Sequence, residues 1–108
     1  FGKSFVQTKI AVDFHNTFGQ ALANIFLAVT EGRVRHVLAS VSGIGATSST
    51  RYSPQHVPTE DLVYMLNGLG YEHGIDVIKL AHAGDLILKE TEQPQRSNAG
   101  GTITFWSN

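Results

Sequence analysis

Short apolar strands alternate with amphipathic helices along most of the chain, and this alternation restricts the fold more than any other feature. Residues 9–15 are predicted to form a strand, residues 19–30 a helix, and residues 35–41 a second strand that is apolar on both faces. When a helix connects two strands of one sheet, the strands lie parallel. We therefore expect an α/β fold with a parallel sheet.

Polar residues and glycine mark the ends of the first helix. Asn16 or Thr17 is expected to cap its N-terminus, and Gly32 is expected to end it in a left-handed conformation. Between these ends, apolar residues at helical spacing predict one buried stripe, made of Leu22, Ile25, Phe26 and Val29.

A second helix is predicted to begin after Thr59, which is expected to act as its cap. Glu60 and Asp61 lie in its first turn, where the helix dipole favours acidic side chains. Gly68 or Gly70 is expected to end it.

The remaining residues predict a third helix and a tail. Asp76 is expected to cap a helix that ends near His82 and is closed by Gly84. Residues 93–108 are rich in polar and small residues, which predicts a linker-like tail with a short terminal strand at residues 102–106.

Composition excludes several classes of protein. The 108 residues are 42% hydrophobic, enough for the core of one domain, and include no cysteine, so disulfides, thiolate zinc sites and a cysteine nucleophile are ruled out. A net charge of -1 gives no electrostatic basis for binding nucleic acid or an anionic membrane. No apolar run reaches the ~18 residues of a membrane helix.

Asp13 and His15 are the first candidates for chemistry. Residues two apart on a strand share a face, so both side chains point the same way near the carboxyl end of the first strand. A carboxylate and an imidazole placed there can hold a divalent cation. The alternative is that Asp13 begins a turn and His15 is an ordinary surface histidine.

The loop with Gly43 and Gly45 is the second candidate. Glycines allow backbone amides to approach an anion or a substrate carbonyl closely, although a simple turn explains the same residues. His56 can reach the same end of the sheet, and its alternative is a solvated loop histidine. The loop lacks the complete fingerprint of a dinucleotide or phosphate site.

Four segments of the chain form a specific pattern. They are A-V-D-F-H-N-T-F-G-Q-A-L-A-N-I at 11–25, S-V-S-G-I-G-A-T at 40–47, T-E-D-L-V-Y-M-L-N-G-L-G at 59–70 and G-I-D-V-I-K-L at 74–80. Together they resemble 3-hydroxy-3-methylglutaryl-CoA (HMG-CoA) lyase, whose segment H-x-H-D-T-Y-G-Q-A-L-A-N is similar to the first and whose glycine loop is similar to the second. The resemblance runs from about Ala11 to Glu92.

This resemblance implies a TIM-barrel lyase that uses Mg or Mn to cleave HMG-CoA into acetyl-CoA and acetoacetate, in leucine degradation and ketone body metabolism. The cation lowers the cost of forming the alkoxide, and a cysteine of the glycine loop handles the proton on the acetyl-CoA enolate. An acyl-CoA substrate and a mitochondrial or bacterial cytoplasmic location follow from the same resemblance.

Carried over by position, the resemblance assigns the site residues of this chain. His15 and Asp13 stand at the two histidines of the family's metal strand, and His56 stands at the loop asparagine that binds the metal. Gly43 and Gly45 belong to the substrate-binding loop, and Thr47 occupies the cysteine position. A hydroxyl is a far weaker acid than a thiol with a pKa near ~8.5, so we expect the proton-transfer role to be lost.

A full TIM barrel needs ~250 residues, which predicts that this chain is a partial barrel made of the last few βα units. We expect residues 1–92 to be the C-terminal part of the barrel and 93–108 the tail, and the isolated chain to be inactive. Two alternatives remain: a non-catalytic fragment that pairs with itself or with the remainder of the barrel, and a small α/β acyl-CoA-binding domain.

Overall fold

The computed structural model describes residues 10–45 and 56–107. In chain order its elements are β1 (Ala11–Val12), α1 (Ala21–Thr30), β2 (His36–Val37), α2 (Thr59–Leu69), α3 (Val77–Thr91) and α4 (Asn98–Ser107), with single 3₁₀ turns at Thr17–Gly19 and Val41–Gly43. The chain is therefore a mixed α/β structure, as its strand–helix alternation predicts.

The two strands pair in parallel, with Ala11 opposite His36 and Val12 opposite Val37. Beyond the paired residues, the Leu38 amide donates to the Val12 carbonyl at 2.9 Å. The parallel arrangement confirms the prediction, but both strands are shorter than residues 9–15 and 35–41. Beyond the two strands, single bridges join His15 to His56 and Ser40 to Pro58.

The apolar face of α1 lies against the core of the molecule. Ala21, Ile25 and Val29 are buried at intervals of four residues, and Val57 and Leu62 complete this cluster. The predicted stripe is thus confirmed at Ile25 and Val29 and wrong at Phe26, which is 40% exposed. Four-residue spacing drifts slowly around a helix, so the buried row includes Ala21 and excludes Phe26.

Neither end of α1 is formed as predicted. Gln20 is its N-cap, not Asn16 or Thr17, although Asn16 Oδ1 accepts a hydrogen bond from the Ala21 amide at 3.3 Å. The left-handed residue after the helix is Arg33, with φ of 55°, and the prediction for Gly32 is wrong. Gly32 serves close packing instead, because a Cβ there would lie 2.8 Å from the Ala28 carbonyl oxygen.

Helices α2 and α3 begin and end largely where local signals place them. Gly70 ends α2 with φ of 83°, and Asp76 Oδ1 caps α3 by accepting from the Ile78 and Lys79 amides at 2.9 and 3.2 Å. Both predictions are confirmed. Thr59 is the first helical residue rather than the cap, a position that Pro58 holds.

Two predictions about the second half of the chain are wrong. Helix α3 passes through Gly84 and continues to Thr91. Gly84 is buried, and a Cβ there would collide with Ser42 and Glu60, so this glycine serves packing and does not end the helix. Residues 102–106 are helical within α4 and do not form a strand. In the described part of the chain, every helix is too short or too polar to cross a membrane.

Candidate metal and substrate site

The end of β1 presents Asp13 and His15 to solvent. Burial alternates along this segment: Val12 and Phe14 are partly covered, whereas Asp13 and His15 are exposed. Phe14 packs against the core cluster and so fixes the orientation of the residues on either side. The shared face that the sequence spacing predicts is thus present in the structure.

His56 reaches the same place from a distant part of the sequence. It forms an antiparallel bridge with His15, and the two imidazole rings lie 5.4 Å apart between their centres. The following residue, Val57, is 1% exposed, and its carbonyl accepts from the Ser40 amide at 3.0 Å. His56 is therefore held on a segment that is anchored in the core.

Asp13, His15 and His56 form one cluster of groups that could hold a metal ion, which we call the ligand triad. A ligand atom from each residue lies within 4.8 Å of the other two. Metal–ligand bonds of ~2.1 Å bring two ligand atoms to ~4.2 Å apart at most, so small side-chain rotations suffice to close the triad on an ion. One carboxylate and two imidazoles suit a divalent cation.

Glycines shape the loop next to the ligand triad. Gly43 and Gly45 have φ of 72° and 94°, a region that side chains disfavour. A Cβ on Gly43 would lie 3.0 Å from the His56 carbonyl oxygen, and one on Gly45 would lie 3.7 Å from the His56 ring. The absence of side chains therefore lets the loop lie directly against the segment that carries His56.

A buried carboxylate holds this loop in place. Glu60 is fully buried, and its two oxygens accept hydrogen bonds from the Ser42 amide and the Ser42 hydroxyl, both at 2.7 Å. Ser42 has φ of 55°, which is strained for a residue with a side chain. These two bonds, which we call the carboxylate clamp, compensate the strain and fix the start of the Gly43–Gly45 loop.

Neighbouring helices pack closely around the clamp. A Cβ on Gly84 of α3 would collide with the Ser42 hydroxyl and lie 2.6 Å from Glu60 Oε2. A Cβ on Gly100 of α4 would lie 3.1 Å from the same oxygen. The two helices can approach the clamp only because these positions carry no side chain.

Asp61 makes a second buried connection, to the start of α4. Its Oδ1 accepts from the Ser97 hydroxyl at 2.8 Å and from the Ala99 amide at 2.7 Å. Ser97 Oγ in turn accepts from the Gly100 amide at 2.8 Å. Consecutive acidic residues of α2 thus hold two different parts of the molecule, the glycine loop and α4.

The structure brings together most of the residues that the sequence singles out. Asp13, His15 and His56 converge, and Gly45 lies beside them; their binding roles stay predictions. Thr47 lies outside the described residues. The sequence does not predict the carboxylate clamp. The helix dipole explains Glu60 locally as an acidic residue in the first turn of a helix, and nothing in the sequence marks its contact with Ser42.

Comparison with known proteins gives a consistent result. A family model described as HMGL-like matches residues 3–87. The mitochondrial hydroxymethylglutaryl-CoA lyase of Arabidopsis thaliana is 45% identical over 91 residues, which is 84% of this chain and 19% of the relative. The cytoplasmic 3-hydroxy-3-methylglutaryl-CoA lyase of Danio rerio is 46% identical over 82% of this chain and 26% of its own length.

Solved structures agree with these relatives. The hydroxymethylglutaryl-CoA lyase of Pseudomonas aeruginosa superposes with a TM-score of 0.78 and 35% identity, over 87% of this chain and 31% of that structure. An HMG-CoA lyase from Acinetobacter baumannii, in complex with coenzyme A and 3-methylmalate, gives a TM-score of 0.71 and 28% identity, over 82% of this chain and 28% of its own. The chain thus spans less than a third of the proteins it matches.

Proposed function

Since the chain belongs to the HMGL-like family, we propose that it carries the cation site and the glycine loop of an HMG-CoA lyase-like TIM barrel. In this proposal the chain supplies the last few βα units, and the remainder of the barrel is its partner. The parallel pairing of β1 with β2 and the match to 31% of the Pseudomonas aeruginosa enzyme support it.

The observation that carries the proposal is the convergence of the ligand triad beside the glycine loop. Asp13 and His15 follow β1, and His56, which comes after the glycine loop in the sequence, forms a bridge with His15. The site lies at the carboxyl ends of the parallel strands, where barrels of this kind place their chemistry. Exposure of Asp13 and His15 leaves the open side free for a substrate.

Each part of the site has a role in binding an acyl-CoA substrate. The triad would hold a divalent cation, which the resemblance implies to be Mg or Mn, and which would act as a Lewis acid on substrate oxygens. Gly45 is exposed, and its backbone amide can hydrogen-bond to a substrate carbonyl or carboxylate. Gly43 shapes the loop instead, because it is buried and its amide donates to the Ser40 carbonyl at 2.9 Å. The clamp from Glu60 keeps this loop in position, since it fixes Ser42 immediately before Gly43.

Thr47 limits what this chain can do alone. It stands at the position of the family's loop cysteine, and its hydroxyl is a poorer proton donor than a thiol. We therefore expect cation and acyl-CoA binding without acetoacetate formation by the chain by itself. The relatives are mitochondrial, cytoplasmic and bacterial proteins, and the proposed location is a mitochondrion or a bacterial cytoplasm.

The test is a calorimetric titration of the purified protein with MnCl₂, followed by coenzyme A in the presence of Mn. We expect one Mn site per chain in the wild type and none in His15→Ala. His82→Ala is the matched control, because His82 is an exposed histidine of α3 that lies outside the triad. Acetoacetate formation from HMG-CoA is measured in parallel.

Three outcomes contradict parts of this proposal. Unchanged Mn affinity in His15→Ala contradicts the cation site. Rapid acetoacetate formation by the chain alone contradicts its dependence on the rest of a barrel. A stable oligomer by light scattering that binds neither Mn nor coenzyme A favours the self-pairing alternative.

A further inference from the structure

We propose that the ligand triad selects a first-row transition cation over Mg²⁺. This inference rests on the proposed function, since it names the class of ion that the same site takes. It is carried by the identity of the three donors: two imidazole nitrogens, from His15 and His56, and one carboxylate oxygen, from Asp13.

The chemistry of these donors disfavours Mg²⁺. Magnesium is a hard cation that demands oxygen ligands in nearly ideal octahedral geometry and gives up its water reluctantly. Imidazole nitrogen is a softer donor that suits zinc, iron, nickel and copper, whose affinities generally increase along the series from Mn²⁺ to Cu²⁺. Because two of the three protein donors are nitrogens, the site offers Mg²⁺ only one preferred ligand.

The geometry favours the same class of ion. Two histidines and one carboxylate on one side of an ion, with open positions opposite, form the facial arrangement of many transition-metal sites. Here the rings of His15 and His56 lie 5.4 Å apart, and their segments are bridged through the backbone. Both imidazoles are therefore presented together, and Asp13, which is exposed like His15, lies beside them.

His56 is the residue that decides the selectivity. His56 belongs to a separate segment and immediately precedes the buried Val57. Gly45 faces its ring, and a Cβ on Gly45 would lie 3.7 Å from that ring. An asparagine at position 56 is short enough for this space and replaces the nitrogen donor with an amide oxygen. The substitution His56→Asn therefore changes the hardness of the donor set without adding volume.

The experiment compares Co²⁺ and Mg²⁺ binding to the purified protein by calorimetry, with the visible absorption of bound Co²⁺ as a second readout. We expect Co²⁺ to bind one site about 100-fold more tightly than Mg²⁺, since nitrogen donors favour the transition ion. In His56→Asn the preference is expected to fall by about tenfold or more, with a changed Co²⁺ spectrum. His82→Ala controls for binding to surface histidines.

The outcomes separate this inference from the proposed function. Equal affinities for Co²⁺ and Mg²⁺ at one site overturn the selectivity and leave the cation site standing. Binding of neither ion overturns both. A Co²⁺ preference that His56→Asn leaves intact also overturns the selectivity of the triad, and its loss in His82→Ala would place the bound ion at a surface histidine. The ratio of Co²⁺ to Mg²⁺ affinity is measured on the wild-type protein, so this part of the test does not depend on the folding of a variant. Circular dichroism confirms that the variants are folded.

Discussion

Carboxylates in two neighbouring regions of the molecule have opposite surroundings. Glu60 and Asp61 are 0% and 9% exposed and accept hydrogen bonds from Ser42, Ser97 and the Ala99 amide. Asp13 is exposed beside two imidazoles. A buried acid whose oxygens are engaged by the protein holds the fold together, whereas an exposed acid among other ligands is available to bind an ion.

The two regions also differ in what they do for the molecule. Glu60 and Asp61 fix the glycine loop and α4 from inside. The resemblance implies a histidine at the position of Asp13 and an asparagine at that of His56 in the family, so we expect this chain to differ from it in the proposed ligand triad.

The largest effect on stability is expected for Glu60→Ala. This substitution leaves the Ser42 amide and hydroxyl without their buried acceptor, and the loss of two hydrogen bonds to a carboxylate costs about 3–5 kcal/mol. Urea unfolding followed by circular dichroism measures the change. Glu90→Ala, at an exposed position of α3, is the control. Equal stability of the two variants would show that the clamp does not hold the loop.

An intermediate effect is expected for Gly84→Ala. Its new Cβ meets the Ser42 hydroxyl and Glu60 Oε2, and overpacking of this kind costs about 1–3 kcal/mol. Gly68→Ala is the matched control, because a Cβ at Gly68 meets nothing within 4 Å and improves the helix by about 0.5–1 kcal/mol. The melting temperature should fall in Gly84→Ala and rise in Gly68→Ala. A rise of the melting temperature in both variants would contradict the close packing at Gly84.

The smallest effect on stability is expected for Asp13→Asn. The residue is exposed and has its proposed role in binding an ion, so unfolding free energy should change by no more than about 0.5 kcal/mol. Divalent-ion affinity should fall in the same variant, as measured by calorimetry. A large loss of stability with unchanged affinity would place Asp13 among the structural acids.

Local patterns predicted the features that depend on neighbouring residues. The order of strands and helices, the parallel pairing, the cap at Asp76 and the shared face of Asp13 and His15 all follow from periodicity or from contacts a few residues apart. The convergence of His56 with that face also follows, because loops at the carboxyl ends of parallel strands meet at one edge.

Contacts between distant residues account for what the sequence did not predict. Residues 102–106 have strand-forming side chains, yet they are helical, and Asp61 holds the start of that helix through Ser97 and Ala99. Gly84 resembles a helix end, but its small size serves packing against Ser42 and Glu60. Neither contact leaves a mark in the local pattern.

The most direct measurement is nuclear magnetic resonance of the five histidine rings during titration with Zn²⁺. The ring signals of His15 and His56 should shift together and saturate at one equivalent, before those of His36, His73 and His82 respond. That result would show that the triad binds one ion through both imidazoles. Shifts spread evenly over all five rings, or a response of His15 without His56, would contradict the ligand triad.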